Sequence, residues 1–103
     1  MHPIIDNNKK AIIELCKQHG IASLCVFGSV LRNDFGPESD VDFLVSYVPD
    51  QSQLEKFDAF LSLKNNLEHL LKRDVDLLEA ENIDNKYLRF FINQEKQLLY
   101  GEA

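Results

Sequence analysis

Apolar residues in the first part of the chain recur at two spacings, which predict a helix followed by a strand. The helix starts at Asp6 or Asn7, either of which can cap it, and runs to about His19, with Gly20 as its stop. Residues 21–27 are predicted to form a buried strand, because the last four of them are all apolar.

The next segment is predicted to hold a short helix from about Ser29, a loop and a second strand. Turn-forming residues fill positions 33–38. Side chains of a strand alternate between its two faces, so Asp40, Asp42 and Leu44 are expected to point one way. The apolar side chains between them, which point the other way, are Val41, Phe43 and Val45. Two carboxylates are therefore expected to share one face of the sheet.

The second half of the chain is predicted to contain a long helix and a third strand. Ser52 can cap the helix, which runs to about Leu71. Its apolar stripe, which we expect to be buried, consists of Phe57, Phe60, Leu61, Leu67, Leu70 and Leu71. Residues 74–79 then form a strand in which Asp76 stands among apolar residues, as Asp42 does in the preceding strand. The neighbours of Asp76, Val75 and Leu77, are expected to pack against helices.

A last helix and a short strand are predicted at the end of the chain. Asn82 or Asp84 can cap the helix, which runs to about Asn93. The side chains that we expect it to bury are Ile83, Tyr87, Leu88 and one of Phe90 and Phe91. A short strand is predicted at residues 97–100. This order of elements predicts an α/β (α+β) fold, a small mixed β-sheet with helices packed mainly on one face, in a single domain covering residues 1–103.

Composition and charge narrow the class of protein. The 103 residues are 45% hydrophobic, which is enough for an ordinary core and argues against disorder. The formal net charge of −6 makes duplex DNA or a long RNA a poor partner, since binding their backbones needs an excess of Lys and Arg. No apolar run is long enough to span a bilayer and no signal-peptide pattern is visible, so a cytoplasmic protein is expected.

Neither the cysteines nor the histidines form a metal-binding pattern. Cys16 and Cys25 lack a CxxC partner, and we expect both to be buried free thiols. His2, His19 and His69 are scattered, and none lies four residues from another. Oxygen ligands are therefore the better candidates for chemistry.

The two carboxylates of the second strand need a stabilising partner. At about 4 Å, two ionised carboxylates repel by roughly 4 kcal/mol at the effective dielectric constant of a protein surface. A shared proton or a bound cation relieves this repulsion, and Mg²⁺ suits oxygen ligands that are completed by water and substrate phosphates. Upstream, Gly28-Ser29 at a strand-to-helix turn is typical of a phosphate-binding turn. The segment therefore predicts part of a phosphate-binding site, at Gly28-Ser29, followed by part of a metal-binding site, at the two carboxylates.

The spacing of these residues resembles the sequence signature of a known protein family. The pattern G-S-x-x-R followed by S-D-x-D resembles the signature of the nucleotidyltransferases of the DNA polymerase beta superfamily, in their minimal, single-domain form. The matching residues are Gly28, Ser29, Arg32, Ser39, Asp40 and Asp42. The ending E-x-x-L-L-Y, from Glu95 to Tyr100, also resembles the minimal family. This chain departs from the family pattern at Leu31 and Asn33, where Ala and Gly are usual.

The resemblance implies roles for these residues. By this resemblance, Asp76 is the third carboxylate of the site, on a strand next to the one that carries Asp40 and Asp42. The three acids are expected to bind Mg²⁺, as two ions. Asp76 also draws the proton from the attacking hydroxyl. Gly28 and Ser29 hold the phosphates of ATP, the nucleotide donor. Arg32 and Ser39 each have two interpretations: Arg32 binds phosphates or braces the loop through a neighbouring acid, and Ser39 assists the nucleotide or only forms a turn.

Members of the family that this chain resembles often act as antitoxins, which transfer AMP to a tyrosine of a small helical HEPN-domain ribonuclease toxin. The resemblance implies such a toxin as the partner. Two alternatives stay open: nucleotidylation of a small molecule such as an aminoglycoside, and a non-catalytic module that binds the toxin or a nucleotide. The residues leave the oligomeric state and the base preference undetermined, and a homo-oligomer is compatible with them.

Overall fold

The helices and strands follow one another in the predicted order, except that the first helix is divided into two. The computed structural model describes residues 1–102. The helices are α1 (Pro3–Asp6), α2 (Lys9–Gln18), α3 (Gln53–Leu71) and α4 (Lys86–Glu95). The strands are β1 (Ile21–Phe27), β2 (Val41–Tyr47), β3 (Val75–Glu79) and β4 (Gln97–Gly101). Two 3₁₀ turns cover Gly28–Leu31 and Ala80–Asn82.

The four strands form one mixed sheet in the order β3-β2-β1-β4. Strands β2 and β3 are parallel, whereas β1 pairs with β2 and with β4 in antiparallel orientation. The connection between the two parallel strands is α3, as a crossover of this kind requires. The predicted small mixed sheet is confirmed.

The two faces of the sheet are covered unequally. Helices α1, α2 and α3 supply Ile5, Ile12 and Leu67 to a large core against one face, which includes the fully buried Phe43. The opposite face carries a smaller cluster, whose buried members are Cys25, Phe27, Leu44, Ile83 and Ile92. The predicted covering of mainly one face is confirmed, and Cys16 and Cys25 are buried free thiols as expected.

The first helix is divided, contrary to the prediction of one helix from Asp6 or Asn7. A ring nitrogen of His2 accepts a hydrogen bond from the amide of Ile4 at 3.0 Å and caps α1, which has Pro3 at its first position. The missing N–H of proline costs nothing at that position. The longer α2 begins only at Lys9.

Helix α3 begins where predicted and buries part of its predicted stripe: Leu67 and Leu71 are buried, and Phe60 and Leu70 are partly buried against the core. Ser52 and Glu55 form a reciprocal capping box, with N···O distances of 3.0 and 3.1 Å. The buried side chains are Leu63, Leu67 and Leu71, which repeat every four residues. The predicted burial of Phe57 and Leu61 is wrong, since their side chains are 57% and 41% exposed.

Helix α4 also differs from its prediction. Its cap is Asn85, whose side chain accepts from the amides of Tyr87 and Leu88 at 2.9 and 3.1 Å, and neither Asn82 nor Asp84 caps it. Ile83 is buried as predicted, and Ile92 is the buried residue of the helix. The helix leaves four large side chains exposed, at 45–70%: Tyr87, Leu88, Phe90 and Phe91. The small cluster on this face of the sheet accommodates little more than one side chain of α4.

Within residues 1–102, no helix combines the length and the apolar composition that crossing a lipid bilayer requires.

Candidate active site

The turn after β1 brings the backbone close to a carboxylate. Gly28 has a φ of 80°, in the left-handed region that favours glycine. A Cβ atom at this position would stand where the Asp42 carboxylate lies. Gly28 therefore provides both the turn and the room for Asp42, and Ser29 follows it in the 3₁₀ turn.

Asp42 and Asp76 lie directly opposite each other on the parallel strands β2 and β3. Their neighbours Val41 and Val75 point into the large core, so the two acids occupy the less covered face of the sheet. The predicted placement of Asp76 beside the Asp42 strand is confirmed by this register. Asp42 is half-buried and Asp76 is exposed.

Asp40 is placed by a loop and not by a strand. Strand β2 begins at Val41, so Asp40 directly precedes the strand that was predicted to include it, and its negative charge acts on Asp42. Asp40 is exposed and lines a cavity of about 580 Å³ together with Ser39 and Asp74.

The electrostatics of Asp42 show that the acids influence one another. Burial raises the pKa of Asp42 to about 6, and the negative charges of Asp76 and Asp40 act in the same direction. Arg32 opposes this effect, and Glu95 adds to it. Ionised Asp42 is therefore less stable in the folded protein than an ordinary carboxylate, and additional positive charge at the site would stabilise it.

The acids suit a metal ion that keeps several non-protein ligands. Among residues 1–102, no three Asp, Glu, His or Cys side chains already converge closely enough to hold a metal ion by themselves. Mg²⁺ commonly uses one or two protein carboxylates and completes its octahedron with water and phosphate oxygens. Asp42, with Asp76 opposite it and Asp40 nearby, offers such an incomplete set.

Glu95, the last residue of α4, contacts the turn and is a site residue that the motif did not include. Its Oε1 accepts from the backbone N–H of Gly28 at 3.0 Å, and its Oε2 accepts from Nη1 of Arg32 at 2.7 Å. The Nε of Arg32 also lies 3.8 Å from Asp34. Arg32 thus braces the loop through neighbouring acids, and the Gly28 amide points at Glu95. The resemblance of the chain's ending was the one sequence signal that included Glu95.

Arg73 organises the loop between the glycine turn and Asp40. Its guanidinium donates to the carbonyl oxygens of Gly36 at 2.9 Å and Ser39 at 2.8 Å, and it lies 4.5 Å from the ring centroid of Phe35. The hydroxyl of Ser39 accepts from the Gly36 amide at 2.9 Å. Ser39 forms a turn in this structure, and Arg73 fixes the loop that leads to Asp40. Arg73 belongs to no motif in the sequence, because its partners are backbone carbonyls.

The sequence matches a known family model and several named proteins. The family model for polymerase beta nucleotidyltransferases matches residues 10–103. A relative from Methanocaldococcus jannaschii, named as a candidate protein adenylyltransferase (MJ0126), is 34% identical over 97 residues, which cover 94% of this chain and 90% of the relative. The protein adenylyltransferase MntA of Thermococcus cleftensis is 38% identical over 70 residues, which cover 68% of this chain and 67% of MntA.

Solved structures share the fold. A candidate minimal nucleotidyltransferase superposes with a TM-score of 0.74 at 30% identity, covering 94% of this chain and 95% of the other. A toxin-antitoxin structure with AMP-PNP has a TM-score of 0.71 at 21% identity, covering 93% and 75%. A complex of tri-AMPylated Shewanella oneidensis HEPN toxin with MNT antitoxin has a TM-score of 0.65 at 20% identity, covering 94% and 72%.

Proposed function

Because the chain belongs to the polymerase beta nucleotidyltransferase family, we propose that it transfers AMP from ATP to a hydroxyl group of a partner protein. The observation that carries this proposal is the pair Asp42 and Asp76, opposite each other on parallel strands and next to the Gly28-Ser29 turn. These are the side chains that a reaction at a phosphate needs: oxygen ligands for a cation, and a close-approach turn for an anion.

Asp40, Asp42 and Asp76 would hold Mg²⁺, and the family resemblance leads us to expect two ions. When bound, Mg²⁺ balances the negative charge that develops on the entering and leaving oxygens of the phosphoryl group. The Ser29 hydroxyl binds the phosphates that leave as pyrophosphate. The Gly28 N–H donates to Glu95, so we assign Gly28 the role of giving the phosphates and Asp42 room.

We assign the role of proton acceptor to Asp76. It is exposed, whereas Asp42 is half-buried beside the glycine turn, so an incoming hydroxyl reaches a carboxylate oxygen of Asp76 more readily than one of Asp42. Transfer of the hydroxyl proton to that oxygen as the oxygen–phosphorus bond forms is general base catalysis. Most of the rate enhancement then comes from positioning and electrostatics.

We assign the acceptor to a tyrosine of a HEPN-domain toxin, with this chain as the antitoxin. Two observations support the choice: the relatives named above carry the name protein adenylyltransferase, and one of the solved neighbours is a complex of AMPylated HEPN toxin with MNT antitoxin. The acceptor in this scheme is a folded protein, which brings its own hydroxyl to the exposed acids.

The surface of α4 also supports a protein acceptor. Tyr87, Leu88, Phe90 and Phe91 are exposed on a helix that lies on the same face of the sheet as Asp42. Glu95 at the end of this helix touches the glycine turn, so the apolar surface of α4 adjoins the site. Exposed apolar patches of this kind are typical of protein interfaces.

The experiment is a pyrophosphate-release assay with ATP, Mg²⁺ and the purified protein encoded by the adjacent gene, which we expect to be a HEPN-domain toxin. We expect pyrophosphate to be released only when ATP, Mg²⁺ and the protein acceptor are all present. An aminoglycoside in place of the protein acceptor should give no release. Release with the aminoglycoside and none with the protein would contradict the proposed acceptor. Neutralisation of the toxin without any release would indicate a binding module.

A further inference from the structure

The carboxylate of Glu95 joins two parts of the site that are far from it in sequence. The paired residues of β1 and β4 nearest the site are Val26 and Gln97. Just beyond this pair, Glu95 Oε1 accepts the Gly28 N–H at 3.0 Å. The side chain of Glu95 thereby continues the hydrogen bonding of the sheet up to the glycine turn.

The other oxygen of Glu95 holds the guanidinium of Arg32. The distance from Nη1 to Oε2 is 2.7 Å, at the short end for an ion pair with hydrogen bonding. The side chain of Arg32 is 53% exposed and that of Glu95 is 33% exposed. Both line a cavity of about 720 Å³, so the guanidinium is accessible to a ligand while Glu95 restrains it.

A restrained arginine binds an anion at lower entropic cost than a freely rotating one, because less side-chain freedom is lost on binding. Arg32 reaches no other carboxylate as closely: Asp34 lies 3.8 Å away and is largely exposed. Restraint of Arg32 by side-chain ion pairs in residues 1–102 therefore depends mainly on Glu95.

We propose that Glu95 is a positioning residue for the nucleotide, which holds Arg32 so that its guanidinium binds the triphosphate. The inference rests on the proposed function, because it takes ATP as the ligand. Glu95 itself does not touch the nucleotide in this scheme. Its effect passes through Arg32, and a double-mutant cycle measures that dependence.

The test compares Glu95→Gln with wild-type protein in calorimetric binding of ATP with Mg²⁺. Glutamine keeps an acceptor for the Gly28 amide but removes the charge that holds Arg32. We expect Kd to rise about tenfold, with a similar rise in KM, while kcat in the AMP-transfer assay and the midpoint of thermal unfolding stay close to the wild-type values. Asp34→Asn is the matched control, since it removes an equal charge from the weaker partner of Arg32, and we expect Kd to stay within about twofold.

Glu95→Gln in an Arg32→Ala background separates the positioning of Arg32 from a general structural effect. We expect Glu95→Gln to leave the Kd for ATP unchanged in that background, because the guanidinium that Glu95 positions is absent. Wild-type affinity in the Glu95→Gln variant would overturn the inference, and so would an equal loss of affinity with and without Arg32. A wild-type chain that fails to bind ATP with Mg²⁺ would instead refute the proposed function, and the positioning role with it.

Discussion

Asp42 and Asp76 occupy paired positions on two parallel strands, β2 and β3. Since side chains alternate along a strand, a shift of this register by one residue would point one of the two acids into the large core. The apolar residues on either side of each acid are buried, which fixes the register. Packing on one face of the sheet thus determines the chemistry available on the other.

Asp42→Asn is expected to stabilise the metal-free protein while abolishing transfer. Burial and the charges of Asp76 and Asp40 raise the pKa of Asp42 to about 6, from an unfolded value of 3.8. A raised carboxyl pKa means that the unfolded state loses its proton first, so stability falls as pH rises from about 4 to about 6 and stays lower above it. Allowing for partial exposure, the penalty is about 1–2 kcal/mol at pH 7.

Urea denaturation in the presence of a chelator, at pH 4.5 and pH 7.5, measures this penalty for wild type and Asp42→Asn. The variant should be more stable at pH 7.5, with a smaller difference at pH 4.5. Asp74→Asn is the control, because Asp74 is exposed and we expect it to change stability by less than about 0.5 kcal/mol. A variant less stable than wild type at pH 7.5 would show that the Asp42 charge is compensated within the protein.

Gly28→Ala is expected to destabilise the fold and to disrupt the site. The substitution places a Cβ against the Asp42 carboxylate at a φ of 80°, and we expect a loss of about 2–3 kcal/mol. Gly36→Ala is the matched control: a Cβ there meets only the Ser39 hydroxyl at 3.9 Å, which is an ordinary contact. The measurement is chemical denaturation of both variants, and equal stability of the two would contradict the close approach at Gly28.

Arg73→Gln is expected to loosen the loop that leads to Asp40. The guanidinium holds two backbone carbonyls and lies over Phe35, so its loss should cost about 1–2 kcal/mol of stability and lower the transfer rate. Lys72→Gln removes the same charge one residue earlier, from an exposed side chain, and serves as the control. Hydrogen exchange of the Ser39 amide, which donates to the Gly36 carbonyl, should be faster in Arg73→Gln than in wild type and unchanged in Lys72→Gln. An unchanged exchange rate in Arg73→Gln would show that contacts other than those of Arg73 hold the loop.

Replacing both Phe90 and Phe91 by Ser should weaken the complex with the toxin without changing nucleotide binding. Both rings are exposed, at 59% and 67%, and they contact each other edge to face. If the partner covers them, their loss should cost about 2 kcal/mol or more of binding free energy, a rise in Kd of about thirtyfold. Phe57→Ser is the control, because Phe57 is 57% exposed on α3, which packs against the opposite face of the sheet. Equal effects of the two variants on partner affinity would contradict a docking role for α4.

The strands, and the sheet face that each of Asp42 and Asp76 occupies, could be predicted from the sequence, because apolar runs and period-two alternation depend only on neighbouring residues. That the strand of Asp76 lies beside the strand of Asp42 was implied by the family resemblance, because pairing between distant strands leaves no such local pattern. Glu95 could not be predicted from spacing, since its contacts with Gly28 and Arg32 span more than 60 positions. The start of β2 at Val41, one residue after Asp40, could not be predicted either, because a shift of one residue at a strand boundary leaves almost no sequence signal.

The wrong predictions of burial in α3 and α4 have a common cause. Both α3 and α4 carry apolar residues around more than one face, so period alone does not determine which stripe turns inward. In α3 the buried residues are Leu63, Leu67 and Leu71, which pack into the large core. In α4 only Ile92 is buried, in the smaller cluster on the opposite face of the sheet, and the aromatic residues stay exposed.

Transfer of labelled AMP is the most direct test of the proposed activity. Wild-type protein, Asp42→Asn and Asp76→Asn would each be incubated with α-labelled ATP, Mg²⁺ and the protein encoded by the adjacent gene, which we expect to be a HEPN-domain toxin. The modified residue would be located by mass spectrometry. The account predicts label on a toxin tyrosine with wild-type protein, and a loss of at least about a hundredfold in either variant. Label at wild-type levels with Asp42→Asn, or no label on the toxin from a wild-type protein that binds ATP, would contradict it.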